Sequence, residues 1–240
     1  MCYDHCIMLN SLVNNLIDND SEQSGLTEAV YQMLVKEIVG GELPPGVRIR
    51  QAALAERLGV SRAPISHALQ LLKQSGLVQE SGKMGVEVAP VSANKVRDLY
   101  QIRARMDGLA ARLAAARVKF GVLPAAEMEA LRQAFQLMLA ASKNTSISAQ
   151  VRADSVFHQR IYGICGNAEI AATMAPLWSH IERAMVLVLD AVPERKKALA
   201  EHKLIMDGIT EGRPEEAEQH AFLHATNAGL LIENKLRGGG

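Results

Sequence analysis

The stretch Ala53–Leu72 constrains the fold more tightly than any other part of the chain. It reads as two short helices joined by a sharp turn. Leu54 and Leu58 lie four apart and give the first helix an apolar face. Gly59 can take the left-handed backbone needed to leave that helix. Ser61 is an N-cap residue for the next one, and Pro64 falls in its first turn, where a missing N–H costs little. At 100° per residue, Ile65, Ala68, Leu69 and Leu72 gather in an arc of about 100°. Arg62, Ala63, Ser66, His67, Gln70, Lys73 and Gln74 occupy the other side. One face is built for burial and the other for a polar partner, the division a helix-turn-helix needs. On its own this pattern is equally that of a helical hairpin in a bundle.

The flanks decide between these readings. Upstream, Thr27 to Val39 carries Val30, Leu34 and Ile38 on one helical face. A Gly-Pro turn follows, then a short extended piece through Arg48 and Arg50. Downstream, Leu77–Ser81 and Val86–Ala89 flank Gly82-Lys-Met-Gly85, a β-hairpin with a glycine-bearing tip. Helix, helix-turn-helix and hairpin make a winged helix. The wing offers Lys83 and the Gly82 amide to phosphates or to the minor groove.

With these pieces in place, residues 27–90 resemble the DNA-binding domain of GntR-family transcriptional regulators. The resemblance rests on Gly41-Glu-Leu-Pro-Pro-Gly-Val-Arg-Ile49, Leu54-Ala-Glu-Arg-Leu-Gly-Val-Ser-Arg-Ala-Pro64 and Gly76-Leu-Val78. It implies that Arg48, Arg50, Ser61, Arg62, Ser66, His67, Gln70, Gly82 and Lys83 face double-stranded DNA. One departure stands out. After that proline the family usually has an aliphatic residue and Arg-Glu-Ala-Leu, whereas this chain has Ile65-Ser-His-Ala-Leu69. An arginine bidentate to guanine is worth about 1–3 kcal/mol of discrimination, so Ser66 relaxes or alters one base preference.

At 240 residues two domains are expected. Residues 1–24 read as a flexible arm, 25–90 as the winged helix, and 91–237 as a second, all-helical domain. Cys2, His5 and Cys6 in the arm lack zinc-finger spacing. Basic and acidic residues balance over the whole chain, which speaks against indiscriminate binding to DNA. Three cysteines make no disulfide framework, and no apolar run approaches a membrane span. A cytoplasmic protein without membrane contact is expected.

After Pro90 the periodicity is helical throughout. Ser92–Phe120 is one long pattern, with Leu99, Ile102, Met106, Leu109 and Leu113 as its apolar stripe. Helices follow over Pro124–Ser142 and Ser148–Cys165. Ala168–Val192 is expected to form two helices, with Pro176 at a kink or break. Two more follow over Pro193–Glu211 and from Pro214 to about Leu236. The fold class is therefore mainly α, a winged helix with a small hairpin plus an antiparallel bundle of six or seven helices.

Four residues carry the chemistry of this bundle. Asp154 and His158 are one turn apart, on a face shared with Val151 and Ile161. His202 lies with Leu199, Ile205, Met206 and Ile209, and His224 with Ala217, Ala221, Ala228 and Leu231. Buried imidazoles and carboxylates need partners. A divalent metal would satisfy all four, but so would separate hydrogen bonds in an ordinary core. The residues alone leave both open.

Residues 91–236 resemble the C-terminal ligand-binding domain of the FadR subgroup of GntR regulators, through Asp98-Leu-Tyr-Gln-Ile-Arg103, Asp154-Ser-Val-Phe-His158, Glu201-His202 and His224. In its metal-binding branch, one Asp and three His hold a divalent cation, which maps onto Asp154, His158, His202 and His224. Nitrogen-rich ligation favours zinc, then nickel, with manganese or iron admitted by the carboxylate. The resemblance further implies a homodimer, a near-palindromic operator and a small organic acid as effector. Arg103 either binds that acid or pairs along its helix with Asp107. Arg183 lines the pocket or sits at the surface. Trp178 is expected in the core, His180 and His220 outside the ligand set with His220 close behind it, and Glu201 solvated, about 100° round the helix from His202. An enzyme acting on small carboxylates would need a general base beside the metal, and no catalytic residue is assigned. A regulator with a purely structural metal is the other alternative.

Overall fold

The structure, a computed structural model, describes residues 24–82, 85–144, 146–188 and 192–238. It separates into two compact units. One runs up to Ile38 and takes in Glu42–Pro90; the other comprises Val39–Gly41 and everything from Val91 onward. The arm expected over residues 1–24, with Cys2, His5 and Cys6, falls outside the described residues apart from its last one.

In the first unit, α1 (residues 24–40) buries Val30, Leu34 and Ile38, the spacing of one helical face. Strand β1 (Arg48–Ile49) leads into α2 (Gln51–Leu58) and α3 (Arg62–Gln74). Gly59 closes α2 with φ 65°, and its N–H reaches the carbonyls of Ala55 and Glu56. Ser61 stands at the N-cap of α3 in extended conformation, but its hydroxyl makes no capping hydrogen bond. Ile65, Ala68, Leu69 and Leu72 are all buried, and they pack with Leu34, Ile38 and Leu54. Burying such a side chain is worth about 1.5–3 kcal/mol, so this small core alone fixes α3 on its neighbours.

The wing is β2 (Val78–Ser81) paired antiparallel with β3 (Gly85–Val88), with Val78 opposite Val88 and Ser81 opposite Gly85. β1 joins the other edge of β3, so the sheet order is β1-β3-β2. At the tip a Cβ on Gly85 would lie 2.6 Å from the Ser81 carbonyl oxygen, which excludes a side chain there.

The second unit holds six helices among the described residues: α4 (Ala93–Lys119), α5 (Ala125–Asn144), α6 (Ile147–Ile164), α7 (Ala168–Val188), α8 (Val192–Thr210) and α9 (Pro214–Gly238). Ser92 caps α4 and Ser146 caps α6, each hydroxyl accepting from a backbone N–H three residues on. α4 is the centre of the unit, with α6, α7, α8 and α9 packed around it.

Two expectations need correction. Pro176 does not divide its segment: α7 runs through it unbroken. Ile170, Met174, Trp178, Ile181 and Met185 form one continuous buried stripe across the proline, and their packing holds both halves in line. The apolar stripe assigned to α4 is only partly right: Leu99 is buried, and Met106 and Leu113 pack half-buried on the core. Ile102 is 46% and Leu109 37% exposed. Besides Leu99, the buried face is made by Val96, Tyr100, Arg103, Asp107 and small residues including Ala104, Gly108, Ala111 and Ala115. A helix crowded by close neighbours needs small side chains inside, so bulk apolar residues are a poor guide to its inner face.

Candidate functional site

The outward face of α3 carries Arg62, Ala63, His67, Gln70 and Gln74, all exposed, with Ser66 half-buried. Ser61 and Gly82 are exposed as well, as are Arg48 on β1 and Arg50 just before α2. Lys73, on the same face, forms a surface ion pair with Glu80 of the wing. Arg57 pairs with Glu37 at 3.0 Å. Lys83, expected at the wing tip, lies outside the described residues.

In the helical unit Asp154, His158, His202 and His224 converge. Each is buried, and one ligand-competent atom from each lies within 4.8 Å of all the others. α6 brings Asp154 and His158 from successive turns, α8 brings His202 and α9 His224. His202 Nε2 is 3.0 Å from Asp154 Oδ1 and 3.1 Å from His158 Nε2. The His202 and His224 rings are 4.1 Å apart at their centroids.

The outer atoms of two of these rings are fixed. His158 Nδ1 stands 3.3 Å from Asp107 Oδ2, and His224 Nδ1 lies 2.9 Å from Glu201 Oε2. The tautomers with hydrogen on Nδ1 donate to those carboxylates and leave both Nε2 lone pairs directed away from them, toward the cluster. Burial pushes the His158 imidazole below its ordinary pKa, against the opposing pull of Asp107. Burial and the adjacent His202 bring His224 down to about 3. Both are neutral at pH 7 and able to donate a lone pair. Burial works to raise Asp154, but the charge and hydrogen bond of His202, with His158 and Arg103, outweigh it and hold the carboxyl well below its usual range. Asp154 Oδ2 is buried without a hydrogen-bond partner, and so is His202 Nδ1. An anionic oxygen crowded together with the neutral imidazoles of His158 and His224 and the ring of His202 is a donor set that suits a divalent cation.

Arg103 lies against this cluster. Its guanidinium carbon is 4.8 Å from the centroid of the Trp178 ring and 5.2 Å from that of Tyr100. Nε donates to Asp107 at 3.1 Å and Nη1 to the Tyr100 hydroxyl at 3.3 Å. Nη2 is buried with no hydrogen bond, 3.9 Å from Asp154 Oδ2. The two expectations for Arg103 are therefore compatible: it pairs with Asp107 and still aims one donor at the cluster. Tyr162 also donates its hydroxyl to Asp107. Burial works to raise Asp107, but Arg103 and His158 outweigh it and bring the carboxyl down to about 2.

Glu201 corrects another expectation. It is half-buried, with Oε2 on His224 and Oε1 accepting from Asn227 at 3.0 Å. It does point away from His202, yet α9 covers that side of α8. Arg183 is buried, which rules out the surface position, but it lines neither of the cavities that touch the cluster. Trp178 is in the core as expected, and it also carries the Arg103 guanidinium. His180 lies apart, 3.3 Å from Lys95 Nζ.

Two cavities flank the cluster. One, of about 160 Å³, touches Arg103, Asp154 and His224. The other, of about 80 Å³, touches Asp154 and His202, and Met185 and Ala198 line both.

Comparison with known proteins matches residues 98–227 to the FCD domain and residues 26–88 to the gntR family of bacterial regulatory proteins. The chain is a GntR-family transcriptional regulator with an FCD domain. This GntR regulator is 30% identical to an HTH-type transcriptional regulator of Streptomyces ambofaciens, over 76% of its own length and 75% of the other's. It is 27% identical to the HTH-type transcriptional regulator YdhC of Bacillus subtilis, over 81% of its length and 85% of YdhC. Its fold resembles that of E. coli McbR/YncC, with a TM-score of 0.73 at 19% identity, over 88% of this chain and 98% of that one. Among the described residues no helix of the GntR chain is long and apolar enough to cross a membrane.

Proposed function

We propose that this regulator is a repressor that binds a near-palindromic operator as a homodimer and senses a small organic acid at a metal-containing pocket. The observation that carries the reading is the convergence of Asp154, His158, His202 and His224 within 4.8 Å in a buried setting. These four residues hold one divalent ion, zinc first, with nickel, manganese or iron as alternatives. An ion held by them would supply Lewis-acid attraction for an oxygen of the acid. Arg103 Nη2, buried without a hydrogen bond, takes the second oxygen.

On the DNA side, α3 enters the major groove. Arg62, Ser66, His67 and Gln70 reach base edges, with Ser61 at the mouth of the helix. Arg48, Arg50, Lys83 and the Gly82 amide take phosphates or the minor groove. Pairing with a second copy is supported by large apolar side chains on the outer surface of the bundle. α4 exposes Ile102 and Leu109, and α9 exposes Leu223 and Leu230. The furrow between these helices carries both Arg105 and Glu233, so a two-fold copy meets charges of both signs. The acid releases the operator to the extent that it binds the released arrangement more tightly. The only other carboxylate lining these two cavities, Glu201, is occupied by His224 and Asn227 among the described residues, and no turnover is proposed.

The test begins with elemental analysis of full-length protein purified without chelator or affinity tag. About one divalent ion per chain is expected, lost in His158→Ala and in Asp154→Ala. Operator binding is then followed by fluorescence anisotropy against added carboxylate, with metal present and after chelation. Absence of metal after dialysis against each ion would sink the site. Metal that stays bound while no carboxylate moves the operator would leave it structural.

A further inference from the structure

The cavities beside the cluster carry an inference about the class of acid, and it rests on the carboxylate-sensing reading above. Their walls are mixed. The larger cavity is lined by Arg103, Asp154 and His224 of the cluster, by the apolar Met185, Ala198, Ala228, Leu231 and Ile232, and by Lys197, Glu201 and Asn227. The smaller one shares Met185 and Ala198 and adds Met138, Ile147, Val151 and Leu199, with Ser142 and Gln150 as its further polar members.

Charge decides what can enter. One buried cationic donor, Arg103 Nη2, points into the site. Lys197 reaches the larger cavity only from the rim: its side chain is 70% exposed and lies 4.0 Å from Glu201. Two carboxylates, Asp154 and Glu201, already line the space. A single ligand carboxylate finds Arg103 and the ion. A second would meet mostly methyl and thioether groups: the Asn227 amide already donates to Glu201 and the Ser142 hydroxyl to the Leu139 carbonyl, and a buried charge without full partners is costly.

Size sets the other end. An apolar cavity of about 150 Å³ accepts a benzene-sized group, and the larger space here is about 160 Å³. Methionine is unbranched and adaptable, so Met185, shared by both cavities, can shift to admit a slightly longer tail. We propose that the effector is a monocarboxylic acid with one compact apolar tail, aryl or branched alkyl. Its carboxylate lies toward Arg103 and the cluster, and its tail lies on Met185, Leu231 and Ile232. Ala228 and Leu231 set the preference for that tail.

The experiment uses the full, zinc-loaded chain and four probes: benzoate, 3-methylbutanoate, acetate and succinate. Two signals are read, operator anisotropy and the fluorescence of Trp178, the only tryptophan, which lies 4.8 Å from the Arg103 guanidinium. Each buried methylene is worth about 0.8 kcal/mol, so benzoate and 3-methylbutanoate are expected to half-saturate at concentrations on the order of tenfold or more below acetate and succinate. Ala228→Leu fills the tail space and should bring benzoate to the acetate value. The wild-type series decides the matter even where that variant folds poorly. Succinate or acetate binding as tightly as benzoate overturns the apolar-tail assignment but leaves a carboxylate sensor standing. If none of the four moves the operator while zinc stays bound, the sensing reading falls, and this inference falls with it.

Discussion

Asp107 serves three partners at once: Arg103, His158 and Tyr162. Its replacement is therefore the sharpest single-residue test. Asp107→Asn keeps the shape and removes the charge, leaving the fully buried Arg103 without its nearest anion. Breaking such a pair costs about 3–5 kcal/mol, which urea unfolding of the metal-free protein would measure. Metal affinity should fall about 10–100-fold in the same variant, since the imidazole loses its orienting carboxylate. A second prediction concerns pH. The native state holds His158 below its ordinary pKa and His224 at about 3, both chiefly by burial. In the unfolded chain both titrate near the ordinary 6.5. Below that value the unfolded state binds protons that the native state refuses, so folding becomes less favourable as pH falls. The chelated protein should lose melting temperature as pH drops from about 6.5 toward 3, and these groups contribute no slope above that window. A flat profile between about pH 7 and pH 5 would mean the rings are hydrated. At this scale Asp154 and His158 were legible because helical spacing alone puts them on one face. Glu201 was not: its direction from the helix axis was readable, but the presence of α9 on that side is a tertiary fact.

Glycines settle how closely the helices of the second unit approach. A Cβ on Gly229 of α9 would sit 2.6 Å from the Tyr100 Cβ of α4, and one on Gly208 of α8 would meet the Ala217 backbone at 3.0 Å. Gly229→Ala should push α9 off α4 and cost about 1–3 kcal/mol by overpacking. Gly163 of α6 has nothing within 4 Å of where its Cβ would be, so Gly163→Ala should stabilise by about 0.5–1 kcal/mol through helix propensity alone. Opposite signs in two thermal melts check the close packing; equal signs would refute it. The same geometry explains the elements that sequence reading misjudged. α4 turns alanine, glycine and an ion pair inward because its neighbours come close, so Ile102 and Leu109 are left outside. Pro176 signals a break by its own chemistry, yet a long buried stripe overrides it. The winged helix was easier to read, because Gly59, Pro64 and the hairpin tip act over a few residues.

For the whole molecule, the exposed apolar positions on α4 and α9 are where two copies should meet. Ile102→Asp combined with Leu230→Asp would place buried, unpaired carboxylates in such an interface, and each costs several kcal/mol. Sedimentation should show a dimer for the wild type and monomers for the double variant, with unchanged helical circular dichroism. A wild-type monomer at micromolar concentration would contradict the pairing. The order of the parts along the chain has its own consequence. The DNA-reading unit closes at Pro90, whereas the cluster draws its last member, His224, from the final helix. At bacterial or eukaryotic elongation rates of about 5–20 residues per second, the reader leaves the ribosome on the order of ten seconds before the four-residue cluster can be completed. A message cut short before α9 would yield a reader without His224, and so without the metal and acid control proposed above. For such a product, control would pass from ligand binding to degradation.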